Sequence, residues 1–330
     1  MSKLIPVLLM LITTFIWGSA FVAQKWGMDS LGPLGFTLSR SLLGSVFLGF
    51  VLLIRNWIKE IAPSTPTKKR ATVLGGFVCG CCLFLASTLQ QIGLCHTTPS
   101  VSGFLTTLYI LAVPILQMFL GQKPRLYIWI GSLFAIVALF LICSTGSAGT
   151  DFRLQFGRGE ILTILCALVF AFQILSIDHF APRSDVLALN MIQLLTGAVI
   201  GAILCFGGYF LSKIFGLSSY PVFSALENEV TLLLSLENLK NALGAVLYCG
   251  ILSSGIAYTL QSYAQCRCPA ALAAILMSFE SVFALTCGWL FCHDRMTRLQ
   301  LLGCLLLFVV IVFTQVLDTR RNTPAPTTAT

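Results

Sequence analysis

The chain has 330 residues, of which 57% are hydrophobic and only 10% are charged, and its formal net charge is +8. A soluble domain carries about 25% charged residues, so this composition excludes a soluble fold and predicts a polytopic membrane protein. The basic residues form short clusters between apolar runs rather than one continuous patch, which excludes nucleic acid as an expected partner. Most of the 13 cysteines lie inside apolar runs, where cysteine behaves as a small hydrophobe, and no metal site is expected.

Apolar runs of about 17–25 residues, the length that crosses a bilayer as a helix, recur along the chain. The first run, residues 4–24, exceeds the apolar core of a signal peptide and is predicted to be a membrane span. Ten spans are predicted, each as a continuous helix, because a backbone in lipid must form hydrogen bonds with itself. The predicted spans are 4–24, 33–54, 72–94, 101–121, 126–144, 161–177, 186–211, 241–264, 270–291 and 299–317.

Lysine and arginine are distributed unequally between alternate loops. With the N-terminus inside, the inner segments hold twelve of these residues and the outer segments hold seven. Cytoplasmic loops carry the excess of basic residues, so both termini are predicted to be cytoplasmic. The outer loop 212–240 contains the pattern Ser224 to Glu227 of a capping box, which predicts a short helix lying on the membrane surface. Residues 318–330 are predicted to form a disordered tail.

The two halves of the sequence resemble each other. Leu89-Gln90 corresponds to Leu260-Gln261, and segment 122–131 corresponds to segment 294–303, at offsets of 171 and 172 residues. Since each half holds five spans, the second copy must enter the membrane in the opposite orientation. The sequence therefore predicts an all-α protein of two inverted five-helix repeats, 1–146 and 147–317. Secondary transporters have this architecture, with a substrate site near the bilayer midplane between the repeats.

Glu280 lies near the middle of the ninth span and has no other charged residue within twelve positions on either side. A charge at the centre of a membrane helix costs about 2.5–3.5 kcal/mol, so it usually faces a bundle interior or a water-filled cavity. Two interpretations stay open for Glu280. It forms a cation or proton site in a cavity, or it forms an ion pair with Arg40, which lies about seven residues into the second span.

Aromatic and amide side chains inside spans are further candidates. Trp17, Tyr109, Tyr258 and Trp289 combine apolar rings with polar atoms, which suits a cationic, zwitterionic or heteroaromatic ligand, although packing explains such residues equally well. Gln90 and Gln261 occupy equivalent positions in the two repeats, which indicates paired polar groups across a cavity or a hydrogen bond between helices. The predicted substrate-binding residues are Glu280, Arg40, Trp17, Tyr109, Gln90, Tyr258 and Gln261.

Motifs along residues 4–317 resemble those of the EamA type of the drug/metabolite transporter superfamily. The matching segments, in chain order, are TFIWGSAF (14–21), Pro33 with Phe36 and Arg40, LQQIGL (89–94), FLTTLY (104–109), RGEIL (158–162), YTLQ (258–261) and SFESVFA (278–284). The sequence departs from the family pattern at Ser281, where proline is frequent, and at Gln122, where an acidic residue is frequent.

The resemblance implies a cofactor-free secondary transporter of the cell inner membrane, and no catalytic set of residues indicates an enzyme. Its expected substrate is a small polar metabolite, either an amino acid or a derivative, with exchange of S-adenosylmethionine for S-adenosylhomocysteine as a specific case. A proton or a counter-substrate is the expected coupling partner, and a homodimer is left open. The alternatives are export of sugars, nucleotide-type metabolites or drugs, and a membrane enzyme or scaffold without transport.

Overall fold

In a computed structural model the protein is a bundle of helices, and the structure describes residues 4–58, 65–97, 99–143, 157–292 and 297–321. No β-strand occurs in these ranges. Nine helical stretches among them are long and apolar enough to cross a membrane, and a tenth apolar stretch, Leu126–Ile142, is shorter. These ten stretches correspond one to one with the predicted spans. The predicted all-α, multi-pass class is therefore confirmed.

Several spans contain more than one helix. The first half contains α1 Leu4–Leu31, α2 Pro33–Ile58, α3 Pro66–Leu94, α4 Pro99–Thr106, α5 Tyr109–Phe119 and α6 Leu126–Cys143. The second half contains α7 Arg158–Phe180, α8 Val186–Ala202, α9 Gly208–Phe215, α10 Pro221–Leu234, α11 Leu236–Leu247, α12 Tyr258–Gln265, α13 Ala270–Met277, α14 Glu280–Cys292 and α15 Arg298–Arg321. Two π-helical segments, Ile203–Gly207 and Tyr248–Ala257, join α8 to α9 and α11 to α12.

The helices of the first half pack mainly against helices of the second half. Helix α3 packs on α7 and α8, α2 packs on α8, α6 packs on α15, and α1 packs on α11, α12 and α14. The largest apolar core surrounds α13, which is buried along its whole length. Because the contacts cross between the halves, any space inside the bundle is bounded by both of them.

The prediction of continuous helices was wrong for the fourth and ninth spans. The fourth breaks between α4 and α5, and the ninth breaks between α13 and α14. At both breaks a hydroxyl group bonds a carbonyl oxygen three residues earlier, from Thr107 to Phe104 at 2.7 Å and from Ser278 to Ile275 at 2.6 Å. Such bonds compete with the helical ladder and bend helices. Thr107 and Ser278 are 171 residues apart, so the two breaks are equivalent in the repeats.

Backbone bonds with a spacing of three residues replace helical bonds at the two breaks. They include Ile110 N to Thr107 O at 3.0 Å and Ser281 N to Ser278 O at 3.2 Å. Farther along α5, Pro114 has no N–H for the carbonyl oxygen of Ile110, and the hydroxyl group of Ser132 donates to that oxygen at 3.3 Å. Non-helical backbone at membrane depth is tolerated where protein groups satisfy it in this way.

Two smaller predictions also need correction. The surface helix in loop 212–240 is present as α10, but it begins at Pro221, and Glu227 does not cap it. Instead, Glu227 accepts hydrogen bonds from Ser212 and Lys213 at 2.6 and 2.8 Å. Helix α15 continues to Arg321, so residues 318–321 are helical rather than disordered, and the rest of the predicted tail lies outside the described residues.

Candidate functional site

All seven residues predicted to bind substrate surround one cavity between the two halves of the bundle. Its volume is about 570 Å³, counting the space at its mouth. The cavity is lined by Trp17, Phe21, Gln24, Arg40, Gln90, Thr106, Tyr109, Phe170, Gln173, Ile174, Ser253, Tyr258, Gln261, Met277 and Glu280. Ligand sites combine apolar walls with polar groups that fix the orientation of the ligand, and this lining combines aromatic and aliphatic side chains with amide, hydroxyl and charged groups.

The two helix breaks lie at this cavity. Tyr109 is the first residue of α5 and Glu280 is the first residue of α14, so each directly follows a break. The two residues are 171 positions apart and therefore occupy equivalent places in the two repeats. Interrupted helices at corresponding positions of two repeats are the feature that marks the binding site in secondary transporters.

Glu280 and Arg40 face the same cavity without forming an ion pair. Glu280 is half-buried and Arg40 is 6% exposed, and in the described residues no ion pair within 4.0 Å joins either side chain to a partner. The direct ion pair between Glu280 and Arg40, one of the two interpretations of Glu280, is therefore not formed in this conformation. Buried charges without partners are costly, so both groups are available to a ligand of opposite charge.

Trp17 and Tyr258 form an aromatic wall of the cavity. Their ring centroids are 4.9 Å apart, with an angle of 56° between the ring planes. The indole N–H of Trp17 donates to the carbonyl oxygen of Ser253 at 3.1 Å. The hydroxyl group of Thr13 donates to the carbonyl oxygen of Ala257 at 3.3 Å. Both acceptors belong to the π-helical segment before α12, and π-helical segments are frequent at functional sites.

The amide side chains fall into two groups. Gln90 donates to the hydroxyl group of Thr106 at 3.2 Å, so it has a partner inside the first repeat. Gln261 is 1% exposed, and its Oε1 has no partner among the described residues. Gln173, also 1% exposed, has an Nε2 atom without a partner in the same part of the chain. The cavity therefore offers an unused acceptor and an unused donor.

Sequence reasoning missed Gln24, Phe170 and Gln173 as lining residues. Gln173 lies in the middle of the apolar seventh helix, and an amide inside a span was the signal that could have identified it. Of the candidates named from the sequence, Trp289 has a side chain outside the described part of the structure. In the described residues no group of three His, Cys, Asp or Glu side chains could hold a metal ion.

Helix α2, which carries Arg40, is fixed to the second half at both ends. Near its start, Glu229 of α10 accepts hydrogen bonds from the backbone N–H groups of Leu34 and Gly35 at 3.3 and 2.9 Å. Near its end, Arg55 forms a two-pronged ion pair with Asp185, with a shorter distance of 2.7 Å. These contacts hold α2 against the second half on both sides of Arg40.

The two carboxylates that hold α2 differ in their electrostatics. Partial burial acts to raise the pKa of Asp185, but hydrogen bonds from Arg55 and from the backbone N–H of Ala188 hold this pKa below its ordinary value. Burial raises the pKa of Glu229, although its bonds to Gly35 and Leu34 act in the opposite direction. Asp185 is therefore strongly favoured as a carboxylate in this position.

Ten apolar helical stretches in two halves, with helix breaks that meet at one polar cavity, define a membrane transporter. The chain belongs to the EamA-like transporter family, whose model matches it twice, over residues 4–144 and 157–315. This membership confirms the resemblance to the drug/metabolite transporter superfamily. The protein is therefore a multi-pass membrane transporter that acts on a small-molecule substrate.

Relatives and solved structures agree with this membership. The chain is 25% identical over 306 residues to an uncharacterized transporter of Archaeoglobus fulgidus, covering 91% of this chain and 82% of that protein. It is also 25% identical over 325 residues to the uncharacterized transporter YoaV of Bacillus subtilis, covering 97% of this chain and 100% of that protein. A solved crystal structure superposes with a TM-score of 0.69 at 17% identity, covering 98% of this chain and all of the other, which supports the fold alone.

Proposed function

We propose that the protein is a secondary carrier of a zwitterionic metabolite, an amino acid or an amino-acid derivative. The observation that carries this proposal is the pair of opposite charges in one cavity, Glu280 and Arg40, which no ion pair joins. The ammonium group of an amino acid would bind Glu280 and its carboxylate would bind Arg40. A guanidinium presents a fork of donors that matches a carboxylate, and such charge-assisted bonds are the strongest of the polar contacts.

The uncharged lining supports the same substrate class. Trp17, Tyr109 and Tyr258 give aromatic surface beside the carboxylate, which favours a cation through its contact with ring faces. The free acceptor of Gln261 would bind a further donor on the substrate, and Gln90 lines the same cavity. S-adenosylmethionine is a specific candidate, because it combines an ammonium, a carboxylate, a cationic sulfonium and a stacking purine.

A sugar or an uncharged drug is the second possibility and has weaker support. Such a cargo would leave both Glu280 and Arg40 buried without compensation, which costs more than the contacts it gains from the amides. A nucleotide-type cargo would match Arg40 but would repel Glu280. The arrangement of charge therefore favours a zwitterion over these alternatives.

Alternating access is the proposed mode of transport. Breaks at equivalent positions of two inverted repeats let each repeat move about the site, as in other secondary carriers. We further propose an inner-membrane location with both termini cytoplasmic, and coupling to a proton or a counter-substrate. The boundary between the two repeats at residue 146 and the formation of a homodimer stay predictions.

Solute counterflow in proteoliposomes tests this proposal. Vesicles containing the purified protein are preloaded with one unlabelled amino acid or with S-adenosylmethionine, and uptake of the same labelled solute is followed. Protein-free vesicles are the control. Accumulation of at least one of these solutes above the control supports the proposal. Accumulation of none, while sugars or nucleotides exchange, would overturn the zwitterion assignment.

A competition series then tests the two charges separately. For the transported solute, an analogue without the carboxylate and an analogue without the ammonium group are added as competitors. If both charges are bound, each analogue should compete at least about tenfold more weakly than the parent, because each loses a charge-assisted hydrogen bond. Equal competition by all three compounds would contradict the roles proposed for Glu280 and Arg40.

A further inference from the structure

A separate cavity, which we call the end chamber, lies at one end of the bundle. It is bounded by the last turn of α5, the loop 121–125, the first turns of α6 and α13, and the last turn of α15. Its volume is about 240 Å³, on a measure by which a single water needs about 10–15 Å³, so a polar group much larger than water fits inside it. The end chamber shares no lining residue with the cavity that Glu280 lines, and the proposed function does not use it.

The end chamber has a surplus of positive charge. Lys123 and Arg125 line it, and among the described residues neither forms an ion pair within 4.0 Å. Asp318 is the one carboxylate of the described lining, and it accepts a hydrogen bond from the hydroxyl group of Tyr127 at 2.8 Å. The start of α13 adds the partial positive charge of a helix N-terminus. Two cations against one carboxylate leave a surplus of one positive charge.

The two cations lie close enough to bind one ligand together. Lys123 and Arg125 are two residues apart, so their Cα atoms are separated by at most about 7 Å, and both residues line the same cavity. Side-chain contacts fix the loop that carries them. The Nε2 atom of Gln117 donates to Oε1 of Gln122 at 2.9 Å, and the guanidinium of Arg125 interacts with the hydroxyl group of Tyr127. The loop therefore presents both cations to the chamber.

Exposed apolar side chains flank this loop on both sides. Phe119 and Leu120 precede it and are 84% and 66% exposed, and Leu126 follows it and is 72% exposed. A basic cavity next to an apolar surface at the end of a membrane span matches the two parts of a lipid, its headgroup and its acyl chains. Basic pockets between membrane helices bind the headgroups of anionic lipids in this way.

We propose that the end chamber binds the headgroup of one anionic phospholipid, with the phosphodiester between Lys123 and Arg125 and the acyl chains along the flanking apolar surface. A phosphodiester carries one negative charge, which matches the surplus of one in the chamber. A soluble phosphomonoester carries about 1.5–2 negative charges at pH 7 and exceeds this surplus. A zwitterionic headgroup such as phosphocholine brings a further cation into a chamber whose carboxylate, Asp318, already has a hydrogen-bond partner.

A bound headgroup would join the two halves of the bundle. Helices α5 and α6 belong to the first half, whereas α13 and α15 belong to the second, and all four border the chamber. The lipid would therefore stabilise this arrangement of the two halves. This assignment does not depend on which solute is transported.

Thermal unfolding in a non-ionic detergent, followed by tryptophan fluorescence, tests the proposal. Phosphatidylglycerol, phosphatidylcholine with the same acyl chains, and glycerol 3-phosphate are each titrated into the purified wild type. A ligand that binds only the folded state raises the unfolding midpoint with its concentration, so phosphatidylglycerol should give a saturating rise. Phosphatidylcholine should need at least about tenfold higher concentration for the same rise. Equal responses to the two lipids, or a response to neither, would overturn the proposal, and an equal response to glycerol 3-phosphate would overturn the lipid as its source.

Two matched double variants locate the effect. Lys123→Gln/Arg125→Gln removes both cations of the chamber and should weaken the binding of phosphatidylglycerol by at least about tenfold. Lys69→Gln/Arg70→Gln removes two basic residues near the start of α3, outside the chamber, and should respond as the wild type does. If both double variants lost the response equally, general attraction between basic loops and anionic lipid would explain it, and the assigned position would be wrong. An undiminished response in Lys123→Gln/Arg125→Gln would also contradict the proposal.

A measurement on the wild type needs no variant to fold. Native mass spectrometry of the protein in an equimolar mixture of the two lipids should show one phosphatidylglycerol retained per chain in preference to phosphatidylcholine. Retention of the two lipids in equal amounts would overturn the proposal.

Discussion

Replacement of Gly18 by alanine should weaken the contact that positions Glu280. Gly18 lies on α1 where this helix crosses the start of α14, and it is buried there. A Cβ atom added at Gly18 would lie 2.7 Å from the carbonyl oxygen of Glu280 and 2.8 Å from the backbone nitrogen of Ala284. Since both contacts are with backbone, no side-chain rotation can relieve them.

The size of the effect follows from these distances. Ordinary van der Waals contact begins at 3.4 Å, so α1 and α14 would have to separate by about 0.7 Å at the crossing. Forcing an extra methyl group into a well-packed interior costs about 1–3 kcal/mol. Alanine is favoured over glycine in a helix by about 1 kcal/mol, which offsets part of this cost. The expected net loss is therefore up to about 2 kcal/mol in the free energy of unfolding.

The assay compares Gly18→Ala with Gly244→Ala in detergent unfolding and in counterflow. Gly244 lies on α11, and a Cβ atom there would meet nothing within 4 Å, so the helical preference for alanine acts without a clash. Gly244→Ala should keep or raise stability and keep transport, whereas Gly18→Ala should lose both stability and transport, because Glu280 shifts with α14. If the two variants were equally stable and equally active, this packing argument would be refuted.

Two further predictions concern carboxylates outside the spans. Asp185→Asn removes the ion pair with Arg55 and should cost less than about 1 kcal/mol in the free energy of unfolding. Asp185→Ala also removes the N-cap bond to Ala188 and should cost about 1 kcal/mol more. Thermal unfolding measures both losses, and equal losses would show that the cap contributes nothing. A hydrogen bond from Lys213 lowers the pKa of Glu227 to about 2, so its stabilising contacts should be complete above its ordinary pKa of 4.5 and lost as the pH falls toward 2. Hydrogen exchange of α10 should follow this change in the wild type and not in Glu227→Gln; the same pH dependence in both would show that another group titrates.

The spans and the cavity between the two halves could be predicted from the sequence because their signals are strong. Ten long apolar runs predict a membrane protein of ten spans, and a lone charge such as Glu280 inside a run usually faces the interior. The same reasoning selected Arg40, and the structure brings both side chains to one cavity. That these residues bind a substrate stays a prediction.

The helix breaks could not be predicted in the same way. The segments around Thr107 and Ser278 contain no glycine or proline at the break itself, and their apolar composition is that of a continuous helix. Threonine and serine occur in many unbroken membrane helices, so their bonds to Phe104 and Ile275 become decisive only in the packed bundle. The 171-residue offset between them was visible in the sequence, but it identified a repeat rather than a break.

Local patterns also failed where a tertiary partner was stronger. Ser224 to Glu227 has the spacing of a capping box, but Lys213 and Ser212 bond the Glu227 carboxylate from another element. Gln173 has no feature in the sequence that ranks it above other buried amides. Its place in the cavity depends on how α7 packs against α3 and α5.

Counterflow by the wild type and by Glu280→Gln, reconstituted at equal density, tests the central claim most directly. Glutamine keeps the size of the side chain and removes its charge, and Gln315→Met, a change outside the cavity that Glu280 lines, is the control. The account predicts exchange of a labelled amino acid or S-adenosylmethionine by the wild type and the control. It predicts at least about a tenfold loss in Glu280→Gln, because the ammonium group loses its charged partner. Wild-type exchange by a folded Glu280→Gln protein would contradict the claim that this carboxylate binds the substrate.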